Sequence, residues 1–230
     1  MKTATVGLMI IALFLSTFVL AQQKQSSADT GIRLSFEDVE AGQIPAGWKV
    51  EATNQRGPLA TWQVETDTTA PSGSHVLALT SPNHHFGGTF NLCWTNGIQF
   101  QDGVITVHFK ANTGMEDQGG GVIWRAKDHD NYYISRYNPL ENNFRIYYVK
   151  DGARRMLASA RIKLPAHVWH ELKIEQNGNN IHGYLNGKLL LEVSDNTFPE
   201  PGGVGLWTKA DAATSFDDFS VQPLMKVEGK

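Results

Sequence analysis

The sequence predicts an all-β chain folded as a two-sheet antiparallel β-sandwich, and three observations lead there. Short segments alternate apolar and polar residues at period two, turn-forming pairs punctuate those segments, and no stretch of comparable length shows helical spacing. Side chains along a strand point alternately to opposite faces, so each such segment is a strand with one buried face. Many half-buried strands satisfy themselves best as two sheets packed against each other.

The 230 residues suffice for one large sandwich domain. Lys2 precedes an apolar run over 6–20, and the small pair Val19 and Ala21 suits a signal peptidase, so 1–21 is read as an export signal. The run falls short of the ~20 residues of a membrane span. This places the mature chain in the periplasm or outside the cell, with no membrane attachment after cleavage. Residues 22–30 are polar and aperiodic and form a flexible leader; the domain runs from 31 to 222, and 223–230 is a tail.

Within the domain, Ile32, Leu34 and Phe36 alternate with Arg33 and Ser35. Ile105, Val107 and Phe109 alternate with Thr106, His108 and Lys110, and Leu172 and Ile174 with Glu171, Lys173 and Glu175. Asp151-Gly152, Asn177-Gly178 and Asn186-Gly187 mark tight turns, because Asn, Asp and Gly tolerate positive φ. The flanks of Asn186-Gly187, 181–185 and 188–193, form the clearest hairpin, and 169–176 before them completes a three-strand meander. Gly119-Gly120-Gly121 reads as a sharp entry into the strand bearing Trp124 and Arg125.

Hydrophobic residues make up 41% and charged residues 19%, which suits a packed core rather than a disordered chain. A net charge of −3 gives no electrostatic reason to expect nucleic acid or an anionic membrane. Cys93 is the single cysteine, so no internal disulfide forms, and its strand-like setting marks it as a buried hydrophobe. Phosphate-loop, EF-hand and Gly-x-Ser-x-Gly patterns are absent, and the histidines show no zinc spacing.

Several stretches resemble a known group. Gly121-Val122-Ile123-Trp124-Arg125 with Asp128, Asn131-Tyr132-Tyr133 and Arg136 is similar to a block of bacterial laminin-G-like proteins. So are Trp169, Leu172, Ile174 and Tyr184-Leu185-Asn186-Gly187, the run Gly205-Leu206-Trp207-Thr208-Lys209-Ala210-Asp211, and Phe216-Asp217-Asp218-Phe219. Phe36-Glu37-Asp38 with Pro45 and Gly47-Trp48 resembles the opening strand and turn. That group overlaps the 3-keto-disaccharide hydrolase domain family within the concanavalin-like lectin and glucanase superfamily. The resemblance implies a jelly roll with a concave sheet able to hold glycan; activity varies across this superfold.

The paired carboxylates that glucanases of this superfamily place on one strand are absent. Sugars present apolar C–H faces and rings of hydroxyls, so their sites combine aromatic side chains with rigid polar groups. Arg125, Tyr133, Arg136, Asn138 and Tyr147 fall within one interleaved block, and Trp207 and Lys209 share one side of a later strand; these are the expected binding residues. The 3-keto resemblance implies a different activity. A ketone at C3 acidifies the neighbouring C–H, so cleavage by proton abstraction and elimination needs a general base and a positive group for the enolate. Glu141, Asp211 and His129 are the candidate bases. The same resemblance implies that a structural calcium, held by Asp38 with Asp217 or Asp218, is the one cofactor to consider. The expectation is a monomeric carbohydrate-binding domain, with 3-keto-glycoside cleavage and a laminin-G-like protein-interaction module as the alternatives.

Overall fold

The computed structural model describes residues 31–82 and 84–224. The export signal, the leader and residues 225–230 of the tail lie outside the described residues. Regular structure among those described is all strand: β1 (Ile32–Leu34), β2 (Lys49–Thr53), β3 (Thr61–Thr66), β4 (His75–Ser81) and β5 (Phe90–Phe100). There follow β6 (Gly103–Thr113), β7 (Gly120–Asp128), β8 (Asn131–Asn138), β9 (Asn143–Lys150) and β10 (Ala153–Arg161). The last five are β11 (Trp169–Asn177), β12 (Asn180–Leu185), β13 (Lys188–Ser194), β14 (Gly202–Lys209) and β15 (Ala213–Pro223).

Two antiparallel sheets result. An eight-stranded sheet runs β13-β12-β11-β6-β15-β4-β3, with β1 also paired to β15, and a seven-stranded sheet runs β10-β9-β8-β7-β14-β5-β2. Both sheets draw on strands from the two ends of the chain, so the fold closes as one jelly-roll sandwich. The predicted meander is β11-β12-β13, at one edge of the larger sheet.

Turn chemistry sets the registers. Asp151 and Gly152 have φ of 51° and 74°, and Asn186 and Gly187 have 48° and 74°, so both pairs carry the positive φ of primed two-residue hairpins. The third turn is offset by one residue from its expected place. Asn177 pairs with Asn180, which leaves Gly178 and Asn179 at the corner, with Gly178 supplying the positive φ of 57°.

The core lies between the sheets, where Val107, Phe109, Leu172 and Ile174 meet Val122, Trp124, Phe144, Ile146 and Leu206. Cys93 is buried there, and burial pushes its thiol well above the ordinary range, so it packs as the expected hydrophobe. The larger sheet alternates cleanly; β6 and β11 bury every second residue. The smaller sheet does not. Phe90, Leu92, Trp94, Ile123, Tyr132, Ile134, Tyr147, Val149 and Trp207 form a second buried apolar cluster from the same strands. Since neighbours in a strand face opposite ways, this cluster lies on the outer face of the seven-stranded sheet.

Candidate functional site

The outer face of the seven-stranded sheet gathers the polar side chains that chemistry requires. Register places Arg136 opposite Arg145, and Tyr147 lies two residues further along β9, so all three share that face. Arg136 is 1% exposed. Its Nη1 donates to Asn143 Oδ1 at 2.6 Å, and its Nη2 donates to Glu141 Oε2 at 2.8 Å and to the Tyr147 hydroxyl at 3.2 Å. Arg145 reaches the same carboxylate at 3.3 Å and the same hydroxyl at 3.2 Å. One carboxylate and one phenol therefore organise two guanidinium groups.

A second chain of contacts closes the other side. Lys209 Nζ donates to Asp117 Oδ2 at 2.9 Å, and Asn138 Nδ2 donates to Asp117 Oδ1 at 2.7 Å. Asp117 is held in place by its loop. Asp211 accepts the backbone N–H groups of Met115, Glu116 and Asp117 at 2.7 to 3.1 Å, which fixes that loop over β14. Beneath these groups Trp207 packs against Phe90 with centroids 5.4 Å apart, and its indole N–H donates to the Tyr132 hydroxyl. Trp207 is 1% exposed in the 230-residue chain. Expected among the binding residues, it instead forms a floor beneath the polar groups.

Electrostatics assigns the carboxylates their roles. Burial raises Glu141, but the Asn143 hydrogen bond and the Arg136 and Arg145 charges outweigh it and bring the group down to about 2. Burial also works against the Asp211 charge, and its backbone N–H bonds hold it below the ordinary carboxylate value nonetheless. Carboxylates this acidic take up a proton poorly near neutral pH. Glu141 serves as an acceptor and Asp211 as a loop anchor, and the lowered value makes each a weaker base. His129 sits in the β7–β8 turn, at the opposite end of β8 from Arg136 and Asn138, and faces Asp130 at 3.4 Å.

Two expected binding residues lie elsewhere. Arg125 has a positive φ of 47° at an irregularity in β7, where the register with β8 breaks. That bend turns its side chain into a buried clamp: Nε donates to Gln101 O at 2.8 Å, Nη1 to Phe198 O at 2.7 Å, and Nη2 to Gly178 O at 2.9 Å and Asp102 at 3.2 Å. Tyr133 faces the core, stacked on Trp124 at 5.5 Å and against Phe198 at 5.2 Å, with its hydroxyl on Asp195 at 2.5 Å. The outward tyrosine is its neighbour Tyr132.

The aspartates expected to hold calcium do not form a cradle. Asp217 is fully buried and spends its oxygens on the Ser72 and Asp218 backbone N–H groups, whereas Asp38 is exposed in the turn after β1. No group of three or more His, Cys, Asp or Glu side chains fit for a metal ion occurs among the described residues.

Sequence reasoning missed Asp117, Asn143 and Arg154 as members of this face. The signal for Arg154 was present: a two-residue turn at Asp151-Gly152 pairs Arg154 with Val149, on the side of Tyr147. Nothing local in the sequence marks Asp117, which is placed by a carboxylate 94 residues away.

The architecture is that of the concanavalin-like jelly rolls. The carbohydrate-binding module CBM66 of Bacillus subtilis matches with a TM-score of 0.58 at 19% identity, over 76% of this chain and 95% of that one. The cellulose-induced protein Cip1 matches with a TM-score of 0.58 at 18% identity, over 86% and 100%. For a Bacillus licheniformis β-glucanase the TM-score is 0.55 at 12% identity, over 86% and 100%. At these identities the likeness is one of fold. No match is found among curated proteins. Residues 35–222 match the model of the 3-keto-alpha-glucoside-1,2-lyase-like domain, and the chain belongs to that family.

Proposed function

We propose that this protein binds carbohydrate on the outer face of its seven-stranded sheet. One observation carries the reading: Arg136, Asn138, Glu141, Arg145, Tyr147, Trp207 and Lys209, drawn from three strands and a loop, converge on that face. The buried rings form an apolar floor, buried Arg136 holds Glu141 in place from beneath, and the partly exposed Arg145 supplies a donor. Glu141, about half exposed at its side chain, is a fixed acceptor for sugar hydroxyls. Support also comes from the fold neighbours, which include a protein named as a carbohydrate-binding module and one named as a β-glucanase. The apolar N-terminal run supports a place outside the cytoplasm for this activity.

Cleavage of 3-keto-glycosides is a second reading, favoured by family membership. The cations of this face suit a developing enolate. The acidity of Glu141 and Asp211 weighs against them as its base, and binding is therefore placed first.

The test is retention on immobilised glycans by Glu141→Gln and Arg145→Ala variants. Each should weaken retention about tenfold or more, equivalent to ~1.4 kcal/mol of binding. Arg145 is partly exposed, and surface pairs of this kind contribute only about 0–1 kcal/mol to folding, so Arg145→Ala should shift the melting temperature by a few degrees at most, whereas Glu141→Gln also weakens the pair with buried Arg136 and should lower it somewhat more. Arg125→Ala, which strips a buried clamp, should instead lower the melting temperature sharply. Wild-type retention by both surface variants would contradict the assignment.

A further inference from the structure

Beside the clustered arginines lies a pocket of about 460 Å³, lined in part by Asn54, Gln55, Arg56, Phe86, Phe90 and Arg154. Its volume falls in the roughly 300–1,000 Å³ range of small-ligand sites. The pocket is tied together across the chain. Asn54 Nδ2 donates to Gly152 O at 3.0 Å, joining the loop after β2 to the β9–β10 turn, and Thr89 donates to Asn54 O at 3.3 Å. No acidic residue lines it among the described residues.

Arg154 forms the wall shared with the site already described. Its guanidinium lies 4.5 Å from the Tyr147 ring centroid, 4.9 Å from Phe90 and 5.9 Å from Trp207. Its Nη1 is buried and has no hydrogen-bond partner, and the charge of Asp117 favours it without a hydrogen bond between them. Arg125 shows how this same chain treats an arginine it uses structurally: every guanidinium nitrogen is bonded. Arg154 is treated differently. Three aromatic rings pack around the guanidinium, and its N–H groups lie in its own plane, the fork that a carboxylate or sulfate oxygen pair accepts. Burial pulls Arg154 below the ordinary arginine value, and an anion brought beside it would relieve that penalty.

The wider face carries the same sign. Around the pocket, Arg136, Arg145 and Lys209 are paired with Glu141 and Asp117, and Arg154 adds a further cation; Asp130 lies at the rim, 3.6 Å from where a Cβ on Gly152 would stand. A second guanidinium, Arg56, stacks over Phe86 at 4.0 Å on the pocket wall. We propose that the pocket at Arg154 is a subsite for an anionic substituent, a carboxylate or a sulfate, carried by the bound glycan; this inference rests on the carbohydrate reading above.

Three disaccharides that differ at one terminal ring test it by calorimetry: a neutral form, the form oxidised to a uronate, and the form carrying a sulfate ester. The wild-type protein should bind at least one anionic form about tenfold more tightly than the neutral form, ~1.4 kcal/mol. Preference for the uronate identifies carboxylate as the group recognised, preference for the sulfate ester identifies sulfate, and an equal gain for both identifies charge alone. Arg154→Gln should bring the anionic-to-neutral ratio to about one. Should that variant fold poorly, the wild type alone decides the matter. Its affinity for the anionic form should fall steeply between about 50 and about 500 mM salt, while that for the neutral form holds. Equal wild-type affinity for all three sugars overturns the anionic subsite and leaves the carbohydrate reading standing. Binding of none overturns both.

Discussion

Glu141 Oε2 accepts hydrogen bonds from Arg136, Asn143 and Arg145, and that concentration of donors fixes its protonation state. The folded-state value lies near 2, against an ordinary 4.5. A carboxylate depressed in this way stabilises the fold above its ordinary value and loses that contribution as pH falls from about 4.5 toward about 2. Wild type should therefore melt above Glu141→Gln at pH 7, and the two curves should converge near pH 2. A constant gap across that range would show that the arginines do not act on this carboxylate. Residue identity alone could not reveal such behaviour. The sequence marks Glu141 as an acid near arginines, but whether it is a base or an anchor depends on how many donors converge on it. The same limit affected Tyr132 and Tyr133. Adjacent aromatics offer no internal clue to which of them faces out, and the inward one takes the Trp124 stack.

Strands and turns were far more legible, because their signals are local. Asp151-Gly152 and Asn186-Gly187 turn where their φ preferences require, and the alternation in β6 and β11 survives intact. At Gly178 the corner sits one residue later than the Asn-Gly pair suggests, because Asn177 is drawn into pairing with Asn180. The glycine run before Trp124 has a stronger reason than a sharp entry. A Cβ on Gly121 would lie 1.9 Å from the Ser135 carbonyl oxygen, and one on Gly120 would lie 2.5 Å from the Trp207 carbonyl oxygen. β7 threads between β8 and β14 with room for backbone alone at these positions. Both obstacles are main chain and cannot rotate away. Gly121→Ala should force the two strands apart, giving a markedly lower melting temperature or insoluble protein. An alanine variant melting within a degree or two of wild type would contradict this packing.

Taken as a whole, the molecule treats its two sheets differently, and this explains which half of the fold was readable. The outer face of the larger sheet meets water, so period two is clean there and the sandwich follows from it. The smaller sheet is apolar on both faces through its centre, so Val122-Ile123-Trp124 and Tyr132-Tyr133-Ile134 lose the alternation that would assign sides. The candidate site lies on the outer face of this second sheet. Its members were recognisable by type, but their convergence depends on registers among β7, β8, β9 and β14 and on a loop anchored from Asp211. Charge follows the same division, since a mildly acidic chain concentrates arginines on this one face. Backbone and indole amide resonances followed during titration with a glycan that the protein retains would test the account most directly. Shifts should cluster at Arg136, Arg145, Tyr147, Lys209 and the Trp207 indole N–H. Shifts confined to the exposed faces of β6, β11, β12 and β13, around Lys110 and Trp169, would place the ligand on the opposite sheet and contradict it.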